Sequence, residues 1–164
     1  LKHEHCTLDL PHWKVTDKEY MDLQKELAEL TTQLEGMSDD DPIGRTYTSL
    51  RSRIAWCQRA VDRYENPPES FPAQVNVLRL GDVAFATTPF EYYLDFGDRI
   101  KGRSAAVQTF VVQLAGRGTY LATERAARGL SYGAVPASCQ VSPEGGQVIV
   151  DETVSTINGM FEDD

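Results

Sequence analysis

The sequence has no apolar run longer than a strand, no excess of positive charge and no paired cysteines, and each absence excludes something. A helix that crosses a bilayer needs roughly 18 to 20 apolar residues in succession, so no transmembrane segment is expected. The formal charge of −9, from 25 acidic and 16 basic residues, leaves no cationic face for the phosphates of a nucleic acid and sets the chain as a whole against anionic membranes. Cys6, Cys57 and Cys139 are odd in number and far apart, with no C-x-x-C spacing. That points away from both a disulfide framework and a zinc knuckle. Internal repeats are absent, and the only biased stretches are MSDDDP at residues 37–42 and the acidic end EDD.

What is there is a chain of 164 residues, 41% of them hydrophobic, which is enough to bury a real core. It starts at Leu1 rather than methionine, with no basic start and apolar segment of a signal peptide behind it. The expectation is a piece of a longer chain. In KHEHCTLDL, Cys6, Leu8 and Leu10 alternate with Thr7 and Asp9, the pattern of a half-buried strand, and this first strand (1–15) is expected to pair with residues outside the sequence. His3 and His5 fall on one side of it, a spacing that two metal ligands could share; solvated residues at a frayed end are the plainer reading.

Residues 16–66 read as an antiparallel helical hairpin. Thr16 and Glu19 form a T-x-x-E capping box, and Tyr20, Leu23, Leu27, Leu30 and Leu34 recur at helical steps until Gly36. An aspartate cap and Pro42 in the short linker announce a second helix, along which Tyr47, Leu50, Ile54, Cys57, Val61 and Tyr64 repeat up to Asn66 and Pro67. The first helix is acidic outside and the second carries Arg45, Arg51, Arg53, Arg59 and Arg63, so the pair is complementary in charge. That arginine set is better read as a solvated face than as a ligand patch.

Residues 73–164 carry the α/β portion. After the rigid PPESFP, Val75, Val77, Leu78 and Leu80 form one strand, and Val83 and Phe85 start the next, with Gly81 and Asp82 supplying positive φ at a two-residue turn. Thr88, Pro89 and Glu91 have the spacing of a cap, a first helical position and an N3 glutamate, followed by Phe90, Tyr93, Leu94 and Ile100 on a helix face. Val107 to Leu114 reads as a central strand covered on both faces. The AGRGTY turn then lets the backbone approach a neighbour closely, with Tyr120 just beyond it, and a final helix starts near Pro143 and Glu144 with Val150, Val154, Ile157 and Phe161 along one side. The expected fold class is α/β or α+β, a mixed sheet of about four or five strands with the hairpin and two further helices around it. Glu91 and Tyr120 sit where polar groups at adjacent strand ends would build a site.

The central segments LRLGDVAFATTPFEYYLDFGDRIK and VVQLAGRGTYLATERAARGLSYGAVPAS resemble two segments of the neutral and alkaline, non-lysosomal ceramidases, in the same order and over about the latter half of the chain. The first matches a strand, G-D, a second strand, P-G-E and a helix; the second matches a Tyr followed by an apolar residue and T-T, then Y-E-A-A-S. The resemblance implies a zinc-dependent hydrolase of the amide in an N-acyl sphingolipid or a related substrate. It places Glu91 and Tyr120 as metal ligands and Tyr132 as a residue that supports the site or binds substrate. It further implies secretion or a periplasmic location, and the remainder of the same catalytic domain as partner, since the family's other two ligands are histidines from earlier segments that His3, His5 and His12 do not match. The sequence departs from the family at Phe90, where P-G-E has glycine, and at Arg117, where an earlier tyrosine stands. The alternative is a non-catalytic module on the same scaffold, with Glu91 as a cap and Tyr120 as packing.

Overall fold

The computed structural model describes residues 1–37 and 44–162. The chain divides into two compact units, Lys14–Pro68 and the combination of Leu1–Trp13 with Glu69–Asp164. The fold mixes helices with a mixed sheet, as α/β or α+β folds do, and no helix among the described residues is long and apolar enough to cross a membrane.

The smaller unit is a helical hairpin of α1 (Asp17–Glu35) and α2 (Arg45–Glu65). The capping box at its start forms in full: the Thr16 hydroxyl accepts from the Glu19 amide, and the Glu19 carboxylate accepts from the Thr16 amide. The two helices run antiparallel. Tyr20 stacks on Tyr64 at 4.1 Å, the Tyr64 hydroxyl donates to Asp17, and the Tyr20 hydroxyl donates to Glu65. Leu23, Cys57, Ala60 and Val61 are buried within the hairpin. Charge complementarity is realised in a two-pronged contact, Arg53 on Glu26 at 2.7 and 3.1 Å, while Arg51 donates to Tyr47 on its own helix. The aspartate cap and Pro42 expected ahead of α2 lie outside the described residues. At the observed start, Gly44 is the N-cap and makes no side-chain bond.

The larger unit is built on a four-stranded sheet in the order β1-β2-β3-β5, with β1 Lys2–Leu10, β2 Phe71–Leu80, β3 Val83–Thr87 and β5 Gln108–Val112. The first two pairings are antiparallel and the last is parallel. β1 finds its partner inside this chain, correcting the expectation that it pairs with something outside: it matches β2 from Lys2 opposite Arg79 to Leu10 opposite Phe71. β2 also starts earlier than expected and includes Pro72, which lies beyond β3, whose pairing begins only at Val77. At the β2–β3 turn Gly81 alone has positive φ (+60°), so only the first of the two turn positions is left-handed.

The Val107–Leu114 run is an edge strand and not a central one. Thr109 faces the core, whereas Val107, Phe110, Val112 and Leu114 are exposed. Phe110 compensates by stacking on Phe85 of β3 at 5.0 Å, a cross-strand pair that shields part of both rings. The other face of the sheet is covered. Helix α5 (Pro143–Gly159) lays Ile149, Val150, Val154 and Ile157 over Ala73, Val75, Val77 and Leu10, and α3 (Leu94–Arg103) adds Phe96 and Ile100. The start of α5 is bare for a steric reason. A Cβ on Gly146 would lie 2.3 Å from the Phe96 ring, so the absence of a side chain there is what lets α3 and α5 meet, and it leaves the Gly146 carbonyl open to the Tyr92 hydroxyl at 2.9 Å.

The expected helix start at Thr88-Pro89-Glu91 does not form. Glu91 and Tyr92 are a short strand, β4, and α3 begins only at Leu94, with Tyr93 as N-cap and no side-chain cap bond. The local pattern suited a cap, but the Glu91 amide donates instead to the Thr119 carbonyl at 3.0 Å and the Tyr92 amide to the Gln113 side chain at 2.9 Å. Partners distant in sequence therefore take the donors that a helix cap would have satisfied.

Packing at these glycines yields a contrast to test. Gly146→Ala should destabilise by about 1–3 kcal/mol through overpacking against Phe96. Gly97→Ala, within α3 and with nothing within 4 Å of an added Cβ, should stabilise by roughly 0.5–1 kcal/mol. Urea unfolding of the two variants beside the parent protein reads both signs.

Candidate functional site

The two-stranded ladder of β4 (Glu91–Tyr92) and β6 (Tyr120–Leu121) is parallel, with Glu91 opposite Tyr120 and Tyr92 opposite Leu121. Flanking bonds extend it: the Tyr93 amide donates to Leu121 at 3.2 Å, and the Tyr120 amide to Ser138 at 3.2 Å. The approach of the two segments requires Gly118, since a Cβ there would lie 2.4 Å from the Pro89 carbonyl oxygen. The AGRGTY turn thus does bring its backbone against a neighbour, and that neighbour is the Pro89–Phe90 backbone. Phe90 is fully buried in the core cluster and anchors the strand from below.

Because opposing residues of a ladder project to the same side, the Glu91 carboxylate and the Tyr120 phenol meet. The phenol is pushed up to about 12, first by burial, then by its hydrogen bond to Glu91 and that group's charge, and further by a hydrogen bond with Tyr132. Tyr132 sets its ring edge-on against Tyr120 at 5.9 Å and 82°, and its carbonyl accepts from the Tyr93 hydroxyl. The turn that carries Tyr132 depends on Gly133, which has φ +76° and where a Cβ would lie 3.0 Å from the Tyr120 ring. All three residues singled out in the sequence, Glu91, Tyr120 and Tyr132, are therefore brought together. Between the first two and the third stands α4 (Glu124–Arg128), a one-turn helix capped by the buried Thr123.

The histidines are engaged elsewhere. His5 pairs with Asn76 at 3.1 Å, and His12 lies 3.2 Å from the Gln140 carbonyl with its ring edge on Phe71; His3 is exposed on β1 opposite Leu78. No group of three or more His, Cys, Asp or Glu among the described residues is arranged to hold a metal ion. The pair offers one carboxylate and one phenol oxygen, against the four ligands that a zinc ion takes.

Sequence reasoning missed a cavity of about 460 Å³ past the C-terminal ends of the same strand pair, where the first turns of α3, α4 and α5 converge. Its charged walls are largely cross-linked: Arg125 pairs with Asp95 at 2.8 Å and Arg99 donates to Gln147 at 2.7 Å. These residues lie up to 52 positions apart, from Asp95 to Gln147, and no local spacing joins them. Two leucines were missed as well. Leu114, in the loop before β6, and Leu130, in the turn after α4, have φ of +60° and +50°, the only non-glycine residues with positive φ among those described. A left-handed conformation costs a leucine about 1–2 kcal/mol relative to the ordinary backbone.

Comparisons with models of known protein families, with curated proteins and with solved structures each found no match.

The Tyr120 proton gives a pH test. With the folded phenol at about 12 and an unfolded tyrosine at about 10, the protonated state favours the fold. That contribution is complete below about pH 10 and is lost as pH rises towards 12. In Glu91→Gln the acceptor charge is gone, so Tyr120 should ionise at lower pH than in the parent chain, followed by tyrosinate absorbance with Tyr120→Phe as the blank.

Proposed function

We propose that this chain is the C-terminal part of a ceramidase-like, zinc-dependent hydrolase that cleaves the amide of an N-acyl sphingolipid or a related substrate, with Glu91 and Tyr120 as two of the metal's protein ligands. The observation that supports this reading is the register of β4 on β6, which sets a carboxylate beside a phenol from segments 29 residues apart. The two functional residues implied by the resemblance are neighbours in space although nothing in their local sequence demands it.

A zinc ion held by Glu91 and Tyr120 with ligands from elsewhere would supply Lewis acidity toward a carbonyl and would acidify water near neutral pH. The chain's own residues do the rest. Glu91 supplies a hard anionic oxygen. Tyr120 can serve in either of two states: ionised, as a ligand beside the cation, or neutral, donating a hydrogen bond to the amide oxygen as it gains charge. Tyr132, edge-on to Tyr120 and exposed, holds that ring in place and presents an aromatic surface to substrate. His3, His5 and His12 contribute no ligand on this reading, so the remaining ligands come from the rest of the same catalytic domain. These residues alone would hold metal weakly and hydrolyse nothing.

A second reading is a non-catalytic module on the same scaffold. It is favoured by the fact that Glu91, Tyr120 and Tyr132 already satisfy one another, as a purely structural cluster would. Zinc content and hydrolysis of a short-chain N-acyl sphingosine, measured on the full-length protein, separate the two. Glu91→Gln should lower both by at least about 10-fold, the smaller end of what even loss of a supporting group does at a metal site, and Tyr120→Phe should slow hydrolysis. If both variants keep the parent's zinc and rate, the hydrolase assignment fails and the structural module stands.

A further inference from the structure

A row of polar side chains crosses three strands of the sheet and ends on a histidine. On the face of the sheet away from α5, β1 turns out His3, His5, Thr7 and Asp9, since Cys6, Leu8 and Leu10 point to the core. The Thr87 hydroxyl of β3 accepts from the backbone amide of Asn76 at 3.0 Å and from its side-chain amide at 3.3 Å. That sets the Asn76 carboxamide with its nitrogen towards β3 and its oxygen towards β1, where it accepts from His5 Nδ1 at 3.1 Å. His5 therefore carries its proton on Nδ1 and keeps its lone pair on Nε2. A histidine that is merely solvated gains little from such a tether. Fixing one ring nitrogen so that the other can bind is what a supporting group does for a metal ligand. His3 and His5 are both exposed, and β1 is paired from Lys2 onward, so neither ring hangs on a loose end.

We propose that His3 and His5 together bind a late first-row divalent cation, zinc or nickel, with water completing its shell and Asn76 as a positioning residue. Alternate residues of a strand start about 7 Å apart at Cα. A metal held about 2.1 Å from each ring nitrogen spans that gap once the two rings lean together. Imidazole suits these cations, whereas magnesium prefers oxygen donors in a strict octahedron. The charge of −9 on the whole chain favours cations in general, so the preference for nitrogen-seeking ones is what marks this site. Two protein ligands make an exchangeable site and not a closed structural one, in keeping with the lack of any three-residue metal group among the described residues. The pair stands on β1, while Glu91 and Tyr120 stand on β4 and β6. The inference therefore does not rest on the hydrolase reading.

The test is calorimetric titration of the 164-residue chain with zinc and nickel chlorides, and with magnesium chloride as the control, in a buffer that does not bind metal. Zinc and nickel should bind, and magnesium should bind far more weakly. His3→Gln and His5→Gln should each weaken zinc binding by about tenfold or more, since losing a ligand costs no less than losing its supporting partner. Asn76→Leu should weaken it by about tenfold. Asn76→Asp should tighten it, because a carboxylate accepts more strongly from Nδ1 and makes Nε2 a better donor to the metal. Glu91→Gln should bind as the parent does. The proposal is overturned if zinc and nickel bind no tighter than magnesium, or if either histidine variant keeps the parent's affinity. Loss of binding in Glu91→Gln would also overturn it, by assigning the cation to the β4–β6 ladder. Unchanged binding in both Asn76 variants would overturn the positioning role.

Discussion

A parallel ladder only two residues long, Glu91–Tyr92 against Tyr120–Leu121, is the contact on which the candidate site depends. So few backbone bonds would not hold alone. They persist because the residues around them are committed elsewhere. Phe90 is sealed in the core, the buried Tyr92 hydroxyl reaches the Gly146 carbonyl, and Gly118 lies so close to Pro89 that no side chain fits between them. Each of these ties the short strand to the larger sheet unit, and together they set the phenol of Tyr120 beside the carboxylate of Glu91.

That arrangement rests in turn on how α3 and α5 meet. The bare first turn of α5 admits the Phe96 ring, and Phe96 stacks on Tyr92 at 4.7 Å. The core therefore reaches the site through one chain of aromatic contacts. On the other side the ladder gives way to loops with little burial, where leucines stand in water and the backbone takes left-handed turns.

Much of the framework was legible in the sequence because it is decided by neighbours in the chain. The Thr16–Glu19 box, the leucine repeat of α1, the Gly81 turn and the Pro143 start of α5 all depend on contacts within a few residues, and all formed. No local spacing joins Glu91 to Tyr120; their place at strand ends was the one hint of their meeting in the residues themselves. The residue pattern made Glu91 an N3 glutamate, and the apolar run of Val107–Leu114 suited a covered strand. Both readings were locally sound. They failed where competing partners lie far along the chain: the Thr119 carbonyl and the Gln113 side chain claimed the amides of Glu91 and Tyr92, and β5 took an edge because no further strand among those described pairs with it.

By itself, then, the sequence determined the helices and strands that near neighbours decide, α1, α2, β1, β2, β3 and α5, since periodicity and capping act over one or two turns of chain. The tertiary structure alone decided that Glu91 faces Tyr120, that Tyr132 lies edge-on to Tyr120, and that Leu114 and Leu130 are left exposed. The reason is steric and geometric. Those outcomes depend on the missing Cβ atoms of Gly118, Gly133 and Gly146 and on the register of one short ladder, and register follows from what the rest of the core leaves room for.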